Sequence, residues 1–104
     1  MVNISLIGLG QRGQATLERL ARLPNANVLV KCDVESDWRD AATHPKVDLV
    51  WICTPWEWHM RMAVTAMQAG KDVALEVPAA MTVADCERLA SVARETGRHC
   101  VMLE

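Results

Sequence analysis

Three glycines and one carboxylate have the types and spacing that could hold a phosphate ester. In Gly8-Leu9-Gly10-Gln11-Arg12-Gly13 the glycines stand first, third and last. Gly8 permits a tight turn, Gly10 lets backbone approach a pyrophosphate, and Gly13 lets a following helix lie close on a sheet. The N–H groups and positive dipole end of that helix would then face the phosphates. Asp33 comes about 20 residues after the last glycine, the distance at which an acidic residue meets the hydroxyls of an adenosine ribose. Its charge would repel a 2′-phosphate, so NAD is expected rather than NADP. Gln11 belongs to the same loop, and Arg12 faces either the pyrophosphate or solvent.

A second group is Thr54-Pro55-Trp56-Glu57-Trp58-His59, directly after an apolar run. Ligands of parallel sheets bind outside the carboxyl ends of the strands. Trp56 and Trp58 there either stack on a nicotinamide or sugar ring or pack against neighbouring loops. His59 either positions the nicotinamide ribose or a bound substrate, or packs at a helix start. Glu76 ends a later apolar run just before Pro78, and its expected part is to orient that loop. As a cleft carboxylate it stays, with His59, among the candidate catalytic groups. Cys32, Cys53, Cys86 and Cys100 form no CxxC and no metal-type cluster, so they read as reduced, small apolar residues, with Cys86 on a helix's apolar face. No metal is expected. Trp38 and Trp51 read as packing residues, the methionines as core filler, and His44 beside Pro45 as a surface helix end.

These groups need a scaffold, and the chain alternates strand and helix patterns throughout. Strands are expected at Val2–Ile7, Asn27–Cys32, Val47–Cys53, Lys71–Glu76 and Arg98–Leu103. Helices are expected from Gln11 to before Pro24, from a Ser36-Asp37 cap to Ala42, from Glu57 to Ala69, and from a Thr82 cap to Gly97. In the first, Ala15, Leu17, Leu20 and Ala21 should face inward; in the third, Met60, Ala63, Val64 and Met67; in the last, Cys86, Leu89, Ala90 and Ala93. Such alternation implies an α/β fold, a doubly wound parallel sheet covered on both faces. With 104 residues, 51% of them apolar, the chain is read as one domain over 1–104. A net charge of −2 without a basic patch argues against nucleic acid. No apolar run approaches the ~18 residues of a membrane span, and the N-terminal run is too short for a signal peptide, so a cytoplasmic protein is expected.

Beyond the glycine loop, Val50-Trp51-Ile52-Cys53-Thr54-Pro55-Trp56-Glu57-Trp58-His59 and Ala69-Gly70-Lys71-Asp72-Val73-Ala74-Leu75-Glu76-Val77-Pro78 resemble two signatures of the Gfo/Idh/MocA (glucose–fructose oxidoreductase / inositol dehydrogenase) family. The resemblance implies that Thr54 and Pro55 lie under the nicotinamide side of NAD and that Trp56, Trp58, His59, Glu76 and Pro78 border it. The family's Glu-Lys-Pro carries a catalytic lysine; here the tripeptide is Glu76-Val77-Pro78. Glu-Val-Pro-Ala-Ala, Thr-Pro-Trp-Glu-Trp-His and His99 to Glu104 look like the branch of NAD-dependent α-N-acetylgalactosaminidases. That branch implies hydride removal from C3 of the sugar, elimination and hydration across C2, and hydride return. Most of the sugar pocket would come from a second, C-terminal domain, which is expected to be absent here.

Family members also insert a helix and a strand between Asp33 and Val47. Without them the expected strand order shortens to 2-1-3-4-5, keeping the crevice between the first and third strands as the cofactor's seat. The expected partners are NAD and, if another domain or chain completes the site, a sugar. Self-association through the edge strand 98–103 is a further expectation. The alternative is a non-catalytic NAD-binding or interaction module, or a remnant without activity.

Overall fold

A computed structural model describes residues 1–8, 10–33, 38–54, 56–76 and 83–103, with the side chains of 11, 12, 56, 57, 102 and 103 outside that description. The elements run β1 (Val2–Ile7), α1 (Gln11–Ala21), β2 (Ala26–Cys32), α2 (Trp38–Thr43), β3 (Leu49–Ile52), α3 (Trp56–Gln68), β4 (Asp72–Glu76), α4 (Val83–Thr96) and β5 (Cys100–Leu103). The strands form one sheet of order β2-β1-β3-β4-β5, all neighbours parallel, which is the expected doubly wound α/β arrangement. Boundaries differ by a residue or two. Val47 and Cys53 flank β3 rather than belonging to it, and Arg98 and His99 precede β5. The caps expected at Ser36-Asp37 and Thr82 lie outside the described residues.

Right-handed crossovers explain the layers. The step from β1 outward to β2 places α1 on one face. The return past β1 to β3, and the steps on to β4 and β5, place α2, α3 and α4 side by side on the other. The core sits on that second face. Ile7, Val50, Ile52, Val73 and Leu75 point into it from the strands, against Trp38, Ala42, Met62, Met67, Leu89 and Val92 from the helices. Ser5 points the same way and donates to the Ala41 carbonyl oxygen at 2.7 Å, which ties α2 to β1. Fully burying one such aliphatic side chain is worth about 1.5–3 kcal/mol.

Two expectations about helix faces need correction, and a third, for α3, holds and is widened. In α1 the buried residues are Gly13, Thr16 and Leu20, whereas Ala15 and Ala21 are exposed. Thr16 is drawn inward because its hydroxyl has a buried acceptor, and exposing a methyl group costs little. In α4, Leu89 and Val92 are buried while Cys86 and Ala90 are exposed, because the main helix contact of α4 is on its α3 side. In α3 burial goes beyond one stripe, taking in Met62 and Ala66 as well as Ala63, Val64 and Met67, since α2 and α4 pack on either side. Met1 is exposed and so is no core filler.

Beyond the core, polar contacts set the strand ends. Asn3 and Asp48 bond each other through backbone and carboxylate, Asn3 N–H donating to Asp48 Oδ2 at 2.9 Å. Asp72 accepts from His99 N–H at 2.9 Å and pairs with Arg98 at 3.9 Å, anchoring the start of β5. Among the described residues no helix is long and apolar enough to cross a membrane.

Candidate functional site

The carboxyl ends of β1 and β3 frame the crevice where the strand order reverses. Gly8 fills its floor. Its N–H donates to the Cys32 carbonyl at 2.8 Å, while Cys53 N–H donates to the Ile7 carbonyl at 2.8 Å, so the loop is held between the ends of β2 and β3. Gly8 has φ +99, a region disfavoured for any side chain, and a Cβ there would stand 2.7 Å from the Cys53 carbonyl. Gly13 faces back on this turn, and a Cβ on it would collide with the Gly8 carbonyl oxygen. The two glycines therefore let α1 sit directly on the turn. Gly10 differs: a Cβ there would meet nothing within 4 Å.

Gly10 is also the N-cap of α1 and offers no side-chain cap; the first ladder bond runs from Gln14 N–H to its carbonyl at 2.9 Å. The helix ladder leaves the N–H groups of its first turn unclaimed. An open approach over Gly10 thus meets uncapped donors and the positive end of an 11-residue helix, a fit for a diphosphate. Asp33 is exposed immediately after β2, on the same edge of the sheet.

On the other side of the crevice, Thr54 is buried beyond the end of β3, its hydroxyl 3.5 Å from Met62 Sδ. His59 is 1% exposed, and its Nε2 lies 2.7 Å from the Thr54 carbonyl oxygen. A carbonyl only accepts, so it is a proton on Nε2 that points at it. Nδ1 is buried and has no partner among the described residues. His59 thus closes the β3–α3 turn from beneath. Trp58 is half-buried against the core, with the Arg61 guanidinium 5.5 Å from its ring centre.

Glu76 is 7% exposed at the end of β4. Its Oε1 accepts from the Thr16 hydroxyl and the Trp51 indole N–H, each at 3.4 Å, with Cys53 Sγ 4.0 Å away. This cluster joins α1, β3 and β4 under the crevice. Pro55 and Pro78 lie outside the described residues, as do the side chains of Gln11, Arg12 and Trp56. Among the described residues no group of three His, Cys, Asp or Glu could hold a metal. The spacing marks Gly8, Gly10, Gly13 and Asp33, and the family resemblance marks Thr54; Thr16, Cys53 and Trp51 are added by the fold. Their types gave no signal, because each is placed by register and helix phase.

Residues 3–104 match the family model described as the NAD-binding Rossmann fold of the Gfo/Idh/MocA oxidoreductases. The chain belongs to this family. A glycosyl hydrolase family 109 protein of Phocaeicola vulgatus is 40% identical, covering 100% of the chain and 31% of the relative. An α-N-acetylgalactosaminidase of Bacteroides fragilis is 36% identical, again over 100% of the chain and 30% of the relative. The crystal structure of an NAD-binding oxidoreductase from Klebsiella pneumoniae superposes with a TM-score of 0.92 at 28% identity, over 98% of this chain and 34% of that one. The chain thus spans about a third of the length of such proteins. The Phocaeicola alignment runs over 129 positions, 25 more than the 104 residues of the chain. The relative therefore carries residues inside the matched stretch that this Gfo/Idh/MocA domain lacks.

Proposed function

We propose that this domain seats NAD⁺ in the β1/β3 crevice and serves a protein of the NAD-dependent α-N-acetylgalactosaminidase branch. The observation that carries the reading is the contrast among the glycines. Gly8 and Gly13 are consumed by contact with each other and with Cys53, while Gly10 opens onto free space over the uncapped start of α1. The pyrophosphate would take the first-turn N–H groups from Gln11 to Gly13, with the Arg12 side chain beside it. The Asp33 carboxylate would accept from the adenosine ribose hydroxyls and disfavour a 2′-phosphate. The nicotinamide would rest by the turn after β3, where His59 holds the Thr54 carbonyl and Pro55, Trp56 and Trp58 border the space. Glu76 and Pro78 would close the β4 side.

When bound, NAD⁺ supplies a hydride acceptor. The chain's own residues orient it and exclude water; Val77 stands where the family's lysine would act. Much of the acid–base equipment and most of a sugar pocket would then come from polypeptide other than these 104 residues. His59 and Glu76 remain candidate catalytic groups within this reading, although both are buried here. The four free cysteines accord with a cytoplasmic setting. Association of copies through the β5 edge is a further part of the proposal, read out by sedimentation.

The direct test is a calorimetric titration with NAD⁺ and NADP⁺, using Asp33→Ala as control. Saturable binding of NAD⁺, weaker binding of NADP⁺ and narrowing of that gap in the variant are expected. A folded chain that takes up no heat at millimolar NAD⁺ would sink the reading.

A further inference from the structure

One buried polar contact ties α1 to a strand on which the helix does not chiefly lie. α1 packs mainly on β2 and β1. Among its described side chains Gly13, Thr16 and Leu20 are buried, and Thr16, 1% exposed, is the polar one of the three. Its hydroxyl donates to Glu76 Oε1 at 3.4 Å, reaching past β3 to the end of β4. The Cys53 thiol stands 3.9 Å from the same hydroxyl oxygen and 4.0 Å from the same carboxylate oxygen. Cys53 Cβ is also 3.9 Å from where a Cβ on Gly13 would stand. Thr16 thus follows Gly13 by about 4.5 Å along the helix axis, with its hydroxyl placed both to donate to the carboxylate and to accept from the thiol.

We infer that Thr16 is a positioning residue for the cofactor: through Glu76 it sets the rotation of α1 so that the N–H groups of the first turn aim into the β1/β3 crevice. Gly13 fixes how closely the helix approaches the Gly8 turn, but it has no side chain to lodge and so leaves rotation about the helix axis free. Leu20 is held by apolar burial, which has no direction. The hydroxyl–carboxylate bond is directional, and it acts one turn from the donors. Bonds from N–H groups to an anion are strong only when aligned, and a turn of about 10–20° is enough to spoil such a constellation. The inference rests on the NAD⁺ reading above, and it assigns part of the diphosphate grip to a residue buried beneath the helix.

The test compares Thr16→Val, which keeps the side chain's shape and removes both hydrogen bonds, with Thr16→Ser, which keeps the hydroxyl. Calorimetric Kd values are measured on the full chain for NAD⁺ and for ADP-ribose, which share the diphosphate, beside denaturant unfolding of each variant. In Thr16→Val both ligands should bind roughly five- to tenfold more weakly under conditions where the chain is folded. Thr16→Ser should bind both within about twofold of the parent. Thr16→Ala, free of any crowding by a second methyl group, should show the same loss as Thr16→Val and decides the matter if the valine variant does not fold. Unchanged affinity in a folded Thr16→Val or Thr16→Ala of lowered stability would reduce the hydroxyl to a packing group and overturn the inference. So would a loss in Thr16→Ser as large as that in Thr16→Val. Weaker NAD⁺ with unchanged ADP-ribose would put the effect on the nicotinamide side and equally overturn it, with the NAD⁺ reading left standing. No binding of either ligand to the parent chain would sink that reading and this inference together.

Discussion

Gly8, Gly10 and Gly13 look interchangeable as letters, yet the structure gives them different tasks, and substitution should separate them. Gly13→Ala forces a methyl group into the Gly8 carbonyl and should cost about 1–3 kcal/mol or more in denaturant unfolding. Gly10→Ala, at φ −71 with open space around it, should unfold within about 0.5 kcal/mol of the parent. It should nevertheless weaken NAD⁺ about tenfold or more, because the methyl group occupies the approach to the phosphates. At Glu76, replacement by Gln keeps an acceptor for Thr16 and Trp51 and should cost under about 1 kcal/mol. Glu76→Leu removes the acceptor and should cost about 1–3 kcal/mol by the same measurement. The position of the glycines on the β1–α1 turn and of Asp33 after β2 was legible in the sequence because their spacing mirrors backbone geometry. The partner of His59 was not, since a main-chain carbonyl five residues earlier leaves no mark on residue type.

At the level of the elements, strand and helix order could be read directly, whereas which face of each helix turns inward could not. Period alone places Cys86 in line with Leu89 and Ala93, but α4 packs chiefly toward α3, and the stripe that meets it is Leu89 and Val92. The difference has a chemical readout. Cys86 is exposed, whereas Cys100 is half-buried in β5 and burial pushes its thiol pKa up. A thiol reagent at pH 8, followed by peptide mapping, should therefore modify Cys86 well before Cys100. Modification of Cys100 at an equal rate would mean that β5 opens readily from the sheet. In α1, the inward turn of Thr16 depended on an acceptor 60 residues away, a contact that no local pattern encodes.

For the whole molecule, the strand order 2-1-3-4-5 followed from the order that the family resemblance implies, less the helix and strand missing after Asp33, and the sheet has that order. The uneven covering of its two faces follows from that order, since right-handed crossovers put α1 on one face and α2, α3 and α4 on the other. Ligand linkage belongs to this scale. If NAD⁺ binds the folded chain alone, a concentration 100 times its Kd should add about 2.7 kcal/mol to stability and raise Tm accordingly, with a clearly smaller gain in Asp33→Ala at the same concentration. The interior place of β1 has a further consequence, in time rather than in space. Its two neighbours are β2 and β3, so β1, synthesised before β3, stays half-paired until Leu49–Ile52 arrives. By contrast β3, α3, β4, α4 and β5 are joined by successive one-step crossovers and need no earlier partner to pack on one another. The later half can thus condense first and receive β1 as an insertion, and the loop that prepares the cofactor's seat, held by Gly8 against Cys32 and Cys53, would be among the last parts of the chain to form.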